Sequence, residues 1–234
     1  EQWNLDRGAK VKLLEAGPVR AVVRITRTFK DERPDFTFGG VTTVQQDLVV
    51  YRDLDRIELR HEADWQERYK ILKLAFPAGL AAPAAAAEVP YGAVARPSTG
   101  DDYPAQTWTD LSDGTYGLAV LNDGKAGYDA SGAVLRVHLL RSAFDADPET
   151  DRGRHRFTVA LLPHAGDWRT AAIPRRGREL NRPLAAWSAR SHPGRLEPAG
   201  SFVAVEPENV VADAVKRAED SDALVVRLAE MHGA

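Results

Sequence analysis

The chain of 234 residues has no cysteine, one methionine and only 8% aromatic residues. Without cysteine there is no disulfide framework, no thiolate zinc site and no cysteine nucleophile. Long apolar runs are missing as well. The longest candidate, 78–89, is alanine-rich, holds Pro83 and falls short of the roughly 18 residues of a membrane span. Strong charge of either sign is absent: a net charge of −3 and a pI near 6.1 leave no basic surface for phosphates. Neither nucleic acid nor an anionic membrane is therefore an expected partner. The motifs GxxxxGK, GxSxG and HExxH do not occur, which removes the P-loop, the α/β-hydrolase elbow and the helical zinc pair. No secretory leader opens the chain. Glu1-Gln2-Trp3-Asn4 is polar and lacks an initiator Met, so it reads as the start of a piece cut from something longer. A cysteine-free chain suits a reducing cytoplasm, and abundant Ala, Arg and Asp with almost no Met suggest a GC-rich bacterial genome.

Hydrophobic residues at 44% and charged residues at 28% are enough for a packed core in one large or two small domains. Period-two alternation dominates. Val19, Ala21, Val23 and Ile25 point one way, with Val22 breaking the polar side, and the polar loop Lys30-Asp31-Glu32-Arg33-Pro34 ends this strand. Residues 41–51 are β-branched. In 56–64, Ile57, Leu59, His61 and Ala63 alternate with Glu58, Arg60, Glu62 and Asp64. Further strands are expected over 69–76, 85–89, 106–110, 116–121, 134–140 and 154–162, punctuated by Gly114, Gly124, Gly127 and Gly132. A short helix within 168–180 is limited by Pro174 and Gly177. The Ser-, Pro- and Gly-rich stretch 188–200 reads as a linker or crossing loop, followed by strands at 202–205, 210–216 and 223–230. The fold class is all-β, an antiparallel sandwich or barrel: a main domain over 1–187, the crossing at 188–200, and C-terminal strands over 201–234 packing on it.

Chemistry-bearing residues concentrate in the loop Asn122-Asp123-Gly124-Lys125-Ala126-Gly127-Tyr128-Asp129, whose donors, acceptors, cation and aromatic suit a polyhydroxyl ligand. Asp123 follows the apolar strand end Leu118-Ala119-Val120-Leu121 and emerges at a sheet rim, where loops carry function. Glycoside chemistry needs two carboxyl groups about one bond. The candidates Glu88, Asp101, Asp102, Asp110, Asp123 and Asp129 read mostly as surface groups. Tyr91, between two turn formers, and Tyr128 are the aromatics placed to meet a sugar. No histidine pair has helical metal spacing. The acidic run 145–151 lacks the Gly and Glu of a calcium loop and reads as a solvated turn.

Several motifs occur in order: Asp64-Trp65-Gln66-Glu67-Arg68, then Glu88-Val89-Pro90-Tyr91-Gly92, Trp108-Thr109-Asp110, Leu121-Asn122-Asp123-Gly124-Lys125, Leu139-Leu140-Arg141-Ser142 and Pro163-His164-Ala165-Gly166-Asp167-Trp168. Together they resemble the C-terminal β-domain of α-mannosidases of glycoside hydrolase family 38, over nearly the whole chain. The resemblance implies a galactose-mutarotase-like β-supersandwich with a short C-terminal β segment. It also implies a retaining enzyme whose zinc, nucleophilic Asp and acid carboxylate lie in a separate (β/α) barrel, so that this chain is a fragment clipped at both ends. The fragment itself then holds no catalytic residue, no metal and no cofactor, is inactive alone, and completes the α-mannoside cleft beside the barrel. By matching position the rim residues are Asn122, Asp123 and Tyr128, then Arg141 and Tyr91, with Lys125 beside them. Relatives often carry an aromatic where this chain has Ala126. A free-standing carbohydrate-binding module, a mutarotase-like epimerase using His138, His155 or His164, and a homo-oligomer stay open.

Overall fold

The computed structural model describes residues 8–30, 40–143, 145, 147, 149–191 and 193–233. The expected loop at 31–34, His192, and residues 146 and 148 of the acidic turn lie outside them. The first half comprises β1 (Lys10–Ala16), β2 (Arg20–Lys30), β3 (Val41–Tyr51), β4 (Ile57–Trp65), β5 (Ile71–Pro77), β6 (Ala84–Val89), β7 (Gly92–Arg96) and β8 (Thr99–Pro104). Then come β9 (Trp108–Ser112), β10 (Tyr116–Asn122), β11 (Gly127–Ser131), β12 (Val134–Arg141), β13 (Gly153–Ala165), the helix α1 (Ile173–Asn181), and the hairpin of β14 (Val210–Arg217) and β15 (Leu224–Glu230).

These strands form a nine-stranded antiparallel sheet in the order β1-β2-β3-β4-β13-β10-β9-β6-β7 and a four-stranded antiparallel sheet in the order β5-β12-β11-β8. The two face each other. Leu59, Ala63, Trp65, Leu111, Val120 and Val159 of the large sheet meet Phe76, Tyr103, Tyr128, Leu135 and Val137 of the small one in a single core. That is the sandwich the alternation predicts, each strand sending every second residue inward. The indole Nε1 of Trp65 donates to Ser142 Oγ at 2.5 Å, linking the end of β4 to the end of β12 across the two sheets. Glu67, with no exposed surface, accepts from Thr42 Oγ1 at 3.1 Å and pairs with Lys70. The Asp64–Arg68 motif is therefore the inter-sheet crossing itself.

The middle of the large sheet is covered on its other face too. On β10, Leu118 and Val120 enter the inter-sheet core, whereas Ala119 and Leu121 enter a second cluster with Trp108, Ala160, Leu162, Trp168 and Ile173. This explains the unbroken apolar run 118–121: no side chain on it faces water. Trp168 covers Trp108 at a centroid distance of 5.2 Å. Pro174 opens α1, where its missing N–H costs nothing. Gly177 lets the helix lie close to β9, since a Cβ there would sit 2.8 Å from Thr107 Oγ1 and 3.2 Å from Trp108 Cδ1. The two residues expected to limit the helix thus start it and seat it.

Beside this cluster lies a buried ion pair. His164 Nε2 is 2.7 Å from Asp110 Oδ1, and its Nδ1 is 3.2 Å from the carbonyl of Ala165. With an acceptor at each ring nitrogen, the imidazolium is the form that fits. Burial opposes its charge, but the Asp110 carboxylate outweighs burial and holds the imidazole above its ordinary 6.5. Residue 117, in register between His164 and Ser112, is glycine, which leaves the ring room to lie over β10 and reach Asp110, the partner of Ala119 two residues along. A Cβ at Gly117 would fall inside the imidazole, 2.5 Å from Nε2 and 2.9 Å from Ser112 Cβ.

Four differences from the sequence reading have plain causes. Residues 202–205 are apolar but form no strand, because no strand among the described residues pairs with them, and Phe202 is exposed. β1, β7, β8 and β11 were not expected. β8 reads TGDDYP, too polar to signal a strand, yet Tyr103 alone points inward. Val22 is buried in register with Val49 while Val19 is exposed, reversing the inward face assigned to β2. Gly127-Tyr128-Asp129 belongs to β11 and not to the loop.

Gly117→Ala should lower unfolding free energy by about 3 kcal/mol in urea titration, because His164 must leave a buried carboxylate that no other cation neutralises among the described residues. An unchanged midpoint would show that the ring has room to move.

Candidate functional site

β10 lies in the large sheet and β11 in the small one, so the segment 123–126 between them must cross from sheet to sheet in four residues. Asn122 makes this turn. Its Oδ1 accepts from the backbone of Gly124 at 2.7 Å and of Lys125. Its Nδ2 donates to the Gln106 carbonyl at 2.9 Å and to the Tyr128 hydroxyl. Its own backbone donates to Thr107 O and accepts from Asn181 Nδ2 at 2.8 Å. Asn122 and Tyr128 are both fully buried, and burial pushes the Tyr128 phenol up. Both act as struts beneath the rim and present no surface to solvent.

Asp123 and Lys125 are the parts of the loop that reach the rim. Asp123 is exposed, yet its Oδ1 accepts from Thr158 N at 2.8 Å while its own N–H donates to Thr158 O at 3.2 Å, extending the β10–β13 ladder by one step. Lys125 Nζ sits 4.1 Å from the centroid of Phe157. Among the described residues it has no ion-pair partner. Burial pulls its ammonium below the ordinary 10.5, against the attraction of the Asp151 and Asp123 carboxylates. Behind Phe157 stacks His61 at 4.9 Å, whose Nε2 lies 2.9 Å from Gln46 Nε2 and whose Nδ1 is buried without a partner. Gln46 donating fixes the neutral ring with its proton on Nδ1, and burial lowers the imidazole to about 4. Asp151, at φ 56°, turns back so that its Oδ2 accepts from Arg141 N at 2.8 Å and its carbonyl from His155 Nε2 at 2.7 Å.

Asp123 and Lys125 thus lie beside Phe157 with the Asp151 carboxylate near enough to attract Lys125, and Arg141 is tied to this group only through its backbone N–H to Asp151. Tyr91 is not among them. It sits in the β6–β7 turn with φ 60°, and its hydroxyl accepts from Arg227 Nη1 of the C-terminal hairpin at 3.5 Å. Sequence reasoning missed Gln46, His61, Asp151 and Phe157. For His61 the signal was there, since it shares the inward side of β4 with Leu59 and Ala63.

The other acids singled out in the sequence are engaged elsewhere. Glu88 Oε2 accepts from Thr107 N at 2.6 Å, Asp101 from Thr99 Oγ1, and Asp110 holds His164. Asp129, fully buried on the outer side of the small sheet, pairs with Lys73 at 2.7 Å and with Arg136 at 2.5 Å. Burial works against its charge, yet the two cations hold it below the ordinary carboxylate range. Asp102, Asp129 and His138 bring ligand atoms within 4.8 Å of one another. Lys73 Nζ is 3.0 Å from Asp102 and 2.7 Å from Asp129, so an ammonium stands where a metal ion would sit. These residues do not fit the zinc that the resemblance assigns to a barrel.

Two outcomes follow. Asn122→Ala should cost about 2–3 kcal/mol in chemical denaturation, because it strands the Tyr128 hydroxyl and the Gln106 carbonyl together. Between pH 6.5 and 4 the unfolded His61 binds a proton that the folded one does not, so stability falls as pH falls through this window. The loss reaches about 3 kcal/mol, and His61→Gln should flatten that limb of the pH–stability curve. A limb unchanged in the variant would assign the slope to other groups.

No helix among the described residues is long and apolar enough to cross a membrane. Residues 1–149 match the family profile of the glycosyl hydrolases family 38 C-terminal domain. The chain is 30% identical to alpha-mannosidase G of Dictyostelium discoideum over 236 residues, covering 95% of the chain and 21% of that protein. It is 37% identical to human alpha-mannosidase 2C1 over 203 residues, covering 81% of the chain and 19% of that protein. It spans about a fifth of the length of these curated relatives. The crystal structure of an alpha-mannosidase from Enterococcus faecalis V583 shares the fold at a TM-score of 0.81 with 21% identity, over 94% of this chain and 29% of that one. The chain therefore belongs to glycosyl hydrolase family 38, as a C-terminal domain of that family.

Proposed function

We propose that this chain is the β-sandwich part of a retaining, zinc-dependent α-mannosidase of the cytoplasm, with the sandwich over 1–187, a crossing over 188–200 and the hairpin segment over 201–234. The catalytic carboxylates and the zinc belong to a separate barrel. The sandwich completes the α-mannoside cleft with the Asp123–Lys125–Arg141 rim, held from below by Asn122 and Tyr128. One observation carries this reading: the relatives are α-mannosidases, while in this chain the candidate acids are spent on internal partners. A retaining glycosidase needs two carboxyl groups about 5–5.5 Å apart and free to act. What the rim offers instead is recognition. A lysine without a carboxylate partner, half-desolvated on an aromatic ring, supplies strong donors to a sugar hydroxyl, and the free oxygen of Asp123 supplies an acceptor.

An epimerase reading finds little support. Such chemistry needs a base and an acid free to reach one anomeric carbon, but His164 has an acceptor at each nitrogen, His155 bonds a carbonyl and His138 lies against Asp102 and Asp129.

The 234-residue chain should not hydrolyse an aryl α-mannoside. In the complete enzyme, Lys125→Met and Asp123→Ala should each lower kcat/KM about tenfold, with little change in the melting temperature for Lys125→Met. Turnover by the chain alone would overturn the accessory role. Wild-type kinetics in both variants would move the rim out of the cleft.

A further inference from the structure

The β14–β15 hairpin has two unlike faces. One is docked at its base, where Ala229 and Met231 are buried, Arg178 of α1 reaches Asp213 at 2.7 Å and Met231 Sδ at 3.8 Å, and His232 stands edge-on to Trp168 at 5.7 Å, while Val225 and Arg227 nearer the turn on the same side stay exposed. The other carries Leu224, Val226 and Leu228, every second residue of β15, with Val215 opposite Val226 in register. These four side chains are between 41% and 67% exposed. Leading into the hairpin, residues 182–209 run without helix or strand among those described and expose Leu184, Trp187, Leu196 and Phe202.

A two-stranded sheet with one covered face is marginal on its own. An apolar face of this kind marks an interaction surface, and a crossing longer than about 15 residues without structure of its own is uncommon inside a compact domain. The arrangement nonetheless recurs. The Enterococcus faecalis α-mannosidase matches 94% of this chain, a share that cannot omit the crossing and the hairpin, and the matched part is only 29% of that chain. The same crossing and hairpin thus exist within a polypeptide more than three times as long.

We propose that the open face of the hairpin, with the apolar side chains of the crossing, is the surface on which the larger remaining part of the same polypeptide seats. The occupant is an apolar face of the domain that carries the glycosidase chemistry. This rests on the α-mannosidase reading above, and it names a docking surface separate from the Asp123–Lys125 rim. Leu224, Val226, Leu228 and Val215 supply the centre of the contact, and Lys216, Arg217 and Asp222 on the strands and their turn supply a charged margin.

Hydrogen–deuterium exchange on the 234-residue chain and on the complete polypeptide tests it. Backbone amides of 224–228 and around Trp187 and Phe202 should exchange about tenfold or more slowly in the complete polypeptide. Val226→Glu should leave the melting temperature of the 234-residue chain unchanged and lower that of the complete polypeptide by about 3 °C or more. Equal exchange in both forms would overturn the proposal. So would protection in the 234-residue chain that grows with concentration alongside a dimer in sedimentation, since the occupant would then be a second copy. Mannoside hydrolysis by the complete polypeptide separates the two readings. Hydrolysis with an unprotected hairpin sinks the docking surface alone, whereas protection without hydrolysis supports the docking surface and sinks the activity.

Discussion

Burial of the central strands of the large sheet on both faces is the constraint from which the rest follows. β9, β10 and β13 send alternate residues into two separate cores, one shared with the small sheet and one roofed by Trp168 and α1. In such strands no position is spare. Any polar side chain there must find its partner inside the protein, because leaving it unpaired costs roughly 1–3 kcal/mol or more. Two polar residues of β9 comply, Asp110 taking His164 and Thr109 bonding Tyr103 Oη and the Ala86 carbonyl, and from the neighbouring β6 Glu88 holds the Thr107 backbone, whereas the Trp108 indole N–H is left without a partner among the described residues. Room for those partners comes from glycine. Gly117 leaves a gap for an imidazole and Gly177 lets a helix backbone approach an indole.

The rim inherits this constraint. β10 cannot simply end at solvent, since its last residues are still covered on both sides. The chain must also reach β11 in the other sheet within four residues. Asn122 resolves both demands by offering an acceptor to two loop amides and donors to a carbonyl and a phenol. The two polar groups that look most like ligand contacts in the sequence, Asn122 and Tyr128, are therefore the ones most fully consumed. What emerges beyond them is short and rigidly placed. Lys125 lies over Phe157 because the turn aims it back across the open edge between the sheets.

The parts of this fold legible in the sequence were those where one physical rule acts alone. Alternation in β4 set Leu59, His61 and Ala63 on one side, and the apolar run 118–121 marked a strand ending at a sheet rim. Where two rules competed, the reading failed. Residues 99–104 are polar because one face of β8 looks to solvent and carries Asp102 of the charge ladder with Lys73, so only Tyr103 betrays a strand. Gly127 and Tyr128 look like loop residues. Yet glycine is there because a Cβ would press on His138 at 2.9 Å from Nδ1, and the tyrosine because the inner face of β11 needs bulk. Phe202 failed in the opposite sense, since apolar composition makes a strand only when another strand supplies hydrogen bonds. The Asp151 end of the rim gave no signal, because its position depends on a turn with positive φ and on partners ten or more residues away.

Charge neutralisation inside the sandwich also bears on how chemistry is divided in the family. A general acid at neutral pH needs a carboxyl group whose protonated form is favoured, through burial without a cation nearby. Asp129 is buried as deeply as any such group, but Lys73 and Arg136 invert the effect and hold it ionised. Asp47 and Glu58, on the strands flanking the large sheet's centre, are likewise held down by Arg24 and by the pair Arg56 and Arg60. The architecture thus turns Asp129, Asp47 and Glu58 into anchors for cations. The deprotonated, ion-paired state stabilises the sheets and disqualifies the same groups from proton transfer. The cation at the rim is the exception, with two acidic groups near enough to attract it and none close enough to pair. In the proposed function such a domain contributes donors and shape to a sugar site and leaves bond cleavage to carboxylates held in a different environment.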